Sequence, residues 1–542
     1  MATNTISTIA ELPHEIIQRI INYLPRALIV ELTESPQLKK YALTELYSFV
    51  AILSRDVNSS DYSTARTYDA AVWGAGDEDE NCVPKFGDFN QLLSFVQEHN
   101  LRMPKYIRFR NPIDILNIQE PEKLDNSFLR TTLKDLKYSG VDIAYVKKLK
   151  ELPYKFDEID DFYILDELVY GDNREFTRNL SRLEISFEAD LAPELFFPHM
   201  AFENLNELQV GPRLSAEQVA FLPRTLKSIK CSLNIRGLGK DISASRDVIF
   251  PPGLRKLYTN VRHDVKFWLD LTSMEHLQSL CFFSSKCCGI DFPCTLRELT
   301  VYSGLNMYKV AEQCRQLYSL NLNELLGDVE HSDVSPEFPQ GLRKLNVDIQ
   351  TLQYMARSKN DPAHVALPQT LVDLRIYGSN ENVDAYLPIM NYDFKPFTSL
   401  TKLSLPFASG TQIESFNLEN LPQSLTHILM GNLGIKNLAG KFTDLPNLQE
   451  IGMPDNRLAE YFSDANENLR DAEGNIFGPN VKLVVLDGNR FTEDNLRLVV
   501  DDLMKKRHFR SLLIDQDIIP KDMKHLQDRG YIIGLGSEWN FE

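Results

Sequence analysis

One phrase recurs along this chain and limits what it can fold into. Its fullest form is Phe338-Pro-Gln-Gly-Leu342-Arg-Lys-Leu345-Asn-Val347. Close variants are Leu222-Pro-Arg-Thr-Leu226-Lys-Ser-Ile229, Phe250-Pro-Pro-Gly-Leu254-Arg-Lys-Leu257 and Phe292-Pro-Cys-Thr-Leu296-Arg-Glu-Leu299-Thr-Val301. Two more are Leu367-Pro-Gln-Thr-Leu371-Val-Asp-Leu374-Arg-Ile376 and Leu421-Pro-Gln-Ser-Leu425-Thr-His-Ile428-Leu-Met430. Each phrase ends by alternating apolar and polar residues, the pattern of a short strand that buries one face and leaves the other in water. A residue before proline is pushed to extended backbone. Leu222, Phe250, Phe292, Phe338, Leu367 and Leu421 are therefore expected to end a return segment and aim the chain into the next strand. A unit repeated in this way implies an array of stacked coils rather than one globular core, for which 542 residues are too many in any case.

Strand phrases begin near Leu133, Ile159, Leu180, Leu205, Leu226, Leu254, Leu277, Leu296, Leu317, Leu342, Leu371, Leu400, Leu425, Leu448, Val481 and Phe509. An earlier helix-and-strand pair is read at Phe89–His99, with Leu92, Leu93 and Val96 buried, and at Tyr106–Phe109. The L-x-x-L-x-L form and its irregular steps of roughly 25 residues resemble leucine-rich repeats. Two late units carry a fuller version: Leu448-Gln-Glu-Ile451-Gly-Met453-Pro-Asp-Asn456 and Val481-Lys-Leu-Val484-Val-Leu486-Asp-Gly-Asn489. The resemblance implies that Asn456 and Asn489 bind backbone groups of neighbouring turns, which suits an amide that both donates and accepts.

The N-terminal residues read differently. Pro13 can open a helix because its missing N–H has no partner there anyway, and Pro25 ends it. Ile16, Ile17, Ile20, Ile21 and Leu24 fall on one broad stripe. Leu28, Ile29 and Leu32 suggest a second short helix, and Leu38, Tyr41, Ala42 and Leu46 a third. Such small helices carry more apolar surface than they can hide from one another, which implies a docking partner or packing on the next domain. The run Leu12-Pro13-x-Glu15-Ile16, then Ile20 and Tyr23-Leu24, is similar to the opening of an F-box. That resemblance implies contact of Leu12, Pro13, Ile16, Ile20 and Leu24 with a Skp-type linker subunit, and through it a cullin. A helical cap on the repeat array is the alternative reading.

The formal net charge of −18 disfavours nucleic-acid binding through a broad basic face. No apolar run is long enough to span a membrane, and Met1–Ser7 lack the basic start and apolar core of a secretory signal. The protein is expected in the cytoplasm, the nucleus or both. Cys281, Cys287, Cys288 and Cys294 are close in sequence, but their spacing holds no C-x-x-C pair, so reduced thiols are expected rather than zinc. There is no P-loop, no H-E-x-x-H and no G-x-S-x-G. Neither a catalytic residue nor a cofactor is expected.

The expected architecture is an α/β leucine-rich-repeat solenoid, a curved parallel sheet, preceded by a small helical domain. Residues 8–50 form the F-box-like domain, 51–100 a linker and capping helix, 101–515 the solenoid, and 516–542 a C-terminal cap that includes Trp539. The outward strand positions give Tyr163, Glu184, Lys230, Tyr258, Phe283, Thr300, Tyr302, Asn321, Asn323, Asn346, Asp348, Arg375, Tyr377 and Asp487. Between Tyr258 and Tyr377 these are rich in aromatics, amides and charges, the residue types favoured in protein interfaces. The expectation is a substrate receptor of a ubiquitin ligase that holds a client protein on this face. A non-catalytic scaffold outside any ligase is the alternative.

Overall fold

In a computed structural model, the described residues are 12–24, 26–52, 84–109, 115, 118–124, 127–132, 155–160, 178–185, 202–234, 248–262, 267–284, 287–302, 307–322, 338–349, 351–352, 367–378, 391–405 and 413–535. The strand phrase near Leu133, Tyr163, Asn323, Trp539 and the side chains of Cys287 and Cys288 lie outside them. The chain divides into two compact units, residues 1–234 with 248–254, and residues 235–247 with 255–542. Each unit is a stack of parallel strands, a β-solenoid with few helices.

Among the described residues, the first unit opens with three helices, α1 (His14–Ile21), α2 (Arg26–Leu32) and α3 (Lys39–Leu46). Then follow β1 (Phe49–Ile52), β2 (Lys85–Phe86), α4 (Phe89–Glu98), β3 (Tyr106–Phe109), β4 (Phe128–Thr132), β5 (Lys155–Asp160), β6 (Arg182–Ile185), β7 (Glu207–Ser215), α5 (Ala216–Val219) and β8 (Ser228–Asn234). Its sheet order is β2-β1-β3-β4-β5-β6-β7-β8, every pair parallel. β1 and β2, ahead of residue 101, are thus also strands of the sheet. Ile17, Ile21, Ile29, Leu38, Ala42 and Leu46 form the core of the helical part. Tyr47 packs on that core and on Phe95 of α4, ring centroids 4.4 Å apart, so the helices and the first coil share one apolar junction. Asp88 caps α4 by accepting from the Gln91 N–H at 2.8 Å.

The second unit contains β9 (Lys256–Arg262), β10 (Phe267–Asp270), β11 (Ser279–Ser284), β12 (Cys287–Asp291), β13 (Glu298–Val301), α6 (Met307–Gln313), β14 (Ser319–Leu322), β15 (Lys344–Asp348), β16 (Asp373–Tyr377) and β17 (Lys402–Ser404). It continues through β18 (Ser415–Asn417), β19 (His427–Leu429), β20 (Asn437–Ala439), β21 (Glu450–Gly452), β22 (Leu483–Val485), α7 (Glu493–Leu503), β23 (Ser511–Asp515), α8 (Lys524–Asp528) and β24 (Ile532–Leu535). Its main sheet runs β9-β11-β13-β14-β15-β16-β17-β19-β21-β22-β23-β24. Two short parallel pairs, β10–β12 and β18–β20, were not expected from the phrases. The span expected to be a C-terminal tail carries the last strand, β24.

The recurring phrase has a local cause. In all six copies the proline carbonyl accepts from the N–H of the leucine three residues on, at 3.1–3.3 Å. This turn fixes the leucine at the mouth of the strand, and Leu226, Leu254, Leu296, Leu342, Leu371 and Leu425 are fully buried. Burying one leucine is worth about 1.5–3 kcal/mol, so the row is a main source of stability. The residue before it ties the coil to its predecessor: Thr225, Thr295, Thr370 and Ser424 donate to the carbonyls of Leu205, Leu277, Leu342 and Leu400 at 2.6–2.8 Å. In the other two copies glycine takes that place.

Asn456 and Asn489 make the expected bonds. Asn456 Oδ1 accepts from Leu433 N and Ile435 N, and its Nδ2 donates to the Met430 carbonyl at 2.7 Å. Asn489 repeats this one coil later, with Oδ1 on Leu458 N and Nδ2 on the carbonyls of Met453 and Leu486.

Candidate functional site

Helix α1 divides its apolar residues between two directions. Ile17 and Ile21 are 1% exposed and face the helical core, while Ile16 is 43% and Leu12 39% exposed. Pro13 stands at the N-terminus of α1, exposed, and its carbonyl accepts from Ile16 N and Ile17 N. Ile20 and Leu24 are half-buried between the two directions. Tyr23 and Leu28, absent from the expected contact set, are also exposed. Tyr23 stands seven residues after Ile16, two helical turns, and that spacing was a usable signal. The result, among the described residues, is an exposed apolar handle of Leu12, Pro13, Ile16 and Tyr23.

The second candidate surface is the outward face of the main sheet in the second unit. Register aligns Tyr258, Cys281, Thr300, Asn321, Asn346, Arg375 and Ser404 across seven strands. Two residues further along each strand stand Phe283, Tyr302, Asp348 and Tyr377. The aromatic residues assemble. Tyr258 and Phe283 have ring centroids 5.4 Å apart, and Phe283 and Tyr302 stack at 3.8 Å with 7° between planes. Beside them Asn346 Nδ2 donates to Asn321 Oδ1 at 3.0 Å, the start of an amide ladder. Tyr377 is half-buried and donates its hydroxyl to the Leu322 carbonyl, and Arg375 is exposed. Burial pushes the Tyr258 phenol above its ordinary value, helped by Cys281 and Tyr302.

Two expected surface residues are not on the surface. Asp348 is buried because its carboxylate turns back to cap the next segment, accepting from Thr351 N at 3.0 Å and from the Thr351 hydroxyl. Asp487 is 9% exposed. Both stand at the last position of the alternation, where the strand ends and the side chain can bend toward backbone. Asn323 lies outside the described residues.

Models of known protein families do not match this chain, and neither do curated proteins. The functional reading rests on its own residues. Cys294 and Cys314 are free thiols. Burial, with Cys294 nearby, pushes the Cys314 thiol up to about 12, which keeps it protonated and unreactive. Among the described residues, no group of three histidines, cysteines or carboxylates is arranged to hold a metal ion, and no helix is long and apolar enough to cross a membrane. The outer face presents flat aromatic area from Tyr258, Phe283 and Tyr302, the amides of Asn321 and Asn346, and the exposed guanidinium of Arg375.

Proposed function

We propose that this protein is a non-catalytic adaptor of a ubiquitin ligase. Its N-terminal helices act as an F-box that docks a Skp-type linker and, through it, a cullin. The solenoid, read as leucine-rich repeats, holds the client protein on its outward face. The observation that carries this reading is the division at α1, with Ile17 and Ile21 inside, and Ile16 with the preceding Leu12 and Pro13 outside. A helix that served only as a cap has no need to leave large apolar residues in water, since burying each is worth about 1.5–3 kcal/mol. Such an adaptor needs no chemistry of its own, because holding a client beside another subunit's reactive centre supplies rate through proximity. An intracellular site follows from the same reading.

Co-purification from cells tests it. Recovery of linker and cullin together supports the ligase adaptor. Linker without cullin supports a scaffold outside any ligase, and neither leaves a helical cap.

A further inference from the structure

The last strands of the second unit carry a surface unlike the aromatic and amide face, and nothing in the proposed function uses it. Register aligns Leu429, Gly452, Val485, Leu513 and Ile533 in one outward row over β19, β21, β22, β23 and β24. No polar side chain interrupts it. Leu429 and Ile533 are 37% and 41% exposed, Val485 and Leu513 half-buried. Leu429 lies across Gly452, where an added Cβ would stand 2.7 Å from its Cδ1. The row is therefore a continuous strip, since glycine leaves room for the leucine to lie flat.

At the C-terminal ends of the same strands stand three carboxylates, Asp455, Asp487 and Asp515. Asp487 and Asp515 each follow the strip by two residues, so they are register neighbours. Asp455 folds over Gly488, whose added Cβ would meet Asp455 Oδ1 at 2.2 Å, and Asp515 Oδ1 accepts from Gly488 N at 2.9 Å. Asp487 is more than nine-tenths buried among them, and its Oδ1 has no hydrogen-bond partner. Among the described residues, no cation acts on Asp455 or Asp487. Like charges gathered in a partly dry site raise the energy of the free protein, and an arriving cation lowers it.

We infer that β19–β24 form a docking site for a segment of a partner protein that places leucine-sized side chains on the Leu429–Ile533 strip and a lysine or arginine between Asp455 and Asp515. Charge complementarity selects this occupant. A second copy of the chain would bring the same carboxylates and a net charge of −18 to the face, which opposes self-association. A metal ion is disfavoured because, among the described residues, these carboxylates do not form a group that could hold one, whereas a guanidinium offers forked donors to carboxylates.

The test uses the full chain with labelled isoleucine, leucine and valine methyl groups, observed by NMR. Titration with acetyl-Leu-Ser-Leu-Arg-amide is expected to shift the Leu429, Val485, Leu513 and Ile533 methyl signals saturably. The counterpart ending in glutamate is expected to leave them in place. The double variant Asp455→Asn, Asp515→Asn is expected to weaken binding about tenfold, which corresponds to ~1.4 kcal/mol, and Ile533→Asp to abolish it, with the circular dichroism melt confirming that each variant folds. Equal shifts from the two peptides, unchanged affinity in the double variant, absence of saturation, or peptide-free broadening that grows with protein concentration would each overturn the inference. Linker capture through Leu12 and Ile16 is read separately, so the two readings can fail independently.

Discussion

Asp502 and Lys506 form an ion pair one turn apart along the C-terminal end of α7, with Nζ 3.2 Å from Oδ2 and side chains 0% and 6% exposed. Asp502 Oδ2 also accepts from Phe477 N at 3.0 Å, and Lys506 Nζ donates to Asn475 Oδ1 at 3.0 Å. The pair thereby pins the long segment between β22 and its predecessor. Removing one partner leaves a buried charge uncompensated. Lys506→Met is expected to cost about 3–5 kcal/mol, read from urea unfolding followed by circular dichroism. The double change Asp502→Asn, Lys506→Met is expected to recover part of that loss.

Asn489 is fully buried, and its amide holds backbone groups from two coils. Asn489→Ala strands several of them at about 1–3 kcal/mol each, so a loss of at least ~3 kcal/mol is expected in the same unfolding experiment. Asn489→Asp keeps the acceptor but loses the donors, and is expected to be similarly damaging.

Asp487 makes stability depend on pH. Burial, then Asp455 and Asp515, push its carboxyl from the ordinary 3.8 up to about 6. A raised folded-state value means that the fold favours the protonated form. The penalty for the charged form is present above pH ~6, fades as pH falls through that value, and is gone below the unfolded value. Asp487→Asn is expected to raise stability at pH 7.5 by on the order of 2 kcal/mol. Compared with the wild type it is expected to flatten the profile between pH 7 and pH 4, measured by thermal melts.

Ile16 and Ile17 are neighbours with opposite environments. Ile16→Glu is expected to abolish linker capture while leaving the melt unchanged, because its side chain is 43% exposed. Ile17→Glu is expected to unfold the helical part, since a buried carboxylate without a partner costs several kcal/mol. Loss of capture only together with loss of helical signal would argue against the handle.

Tyr302→Ala removes a ring stacked on Phe283, and Tyr377→Ala removes a hydroxyl bonded to the Leu322 carbonyl. The first is expected to cost no more than about 1.5 kcal/mol of stability. Both are expected to deplete clients from the set of bound proteins identified by mass spectrometry. An unchanged set would remove this face from client binding.

Much of the fold was readable because one cause repeats. A Leu-Pro or Phe-Pro pair forces extension, the proline carbonyl closes a turn, and the strand begins two residues after the phrase leucine, as Lys344 follows Leu342. Strands without the phrase were harder to see. β24, Ile532-Ile-Gly-Leu535, lies within the span expected to be a C-terminal cap and has no Leu-Pro or Phe-Pro pair to announce it. β10 and β12 pair outside the main sheet, and neither has a Leu-Pro or Phe-Pro phrase before it. At the N-terminus, five apolar residues on one stripe span too wide an arc for one surface, and periodicity alone does not say which edge faces the core. Asp348 and Asp487 show the limit of alternation: it assigns a side of the strand, but a short carboxylate at the strand end bends toward the nearest N–H.

The Thr and Ser hydroxyls that lace four of the coils to the one before cross separations of 18 residues at Thr295 and 28 at Thr370 with almost the same bond length. What the fold conserves from coil to coil is a point of entry, not a contour length. The return segments are accordingly the places where residues can be inserted, or a reporter domain spliced in, while every downstream strand keeps its alignment.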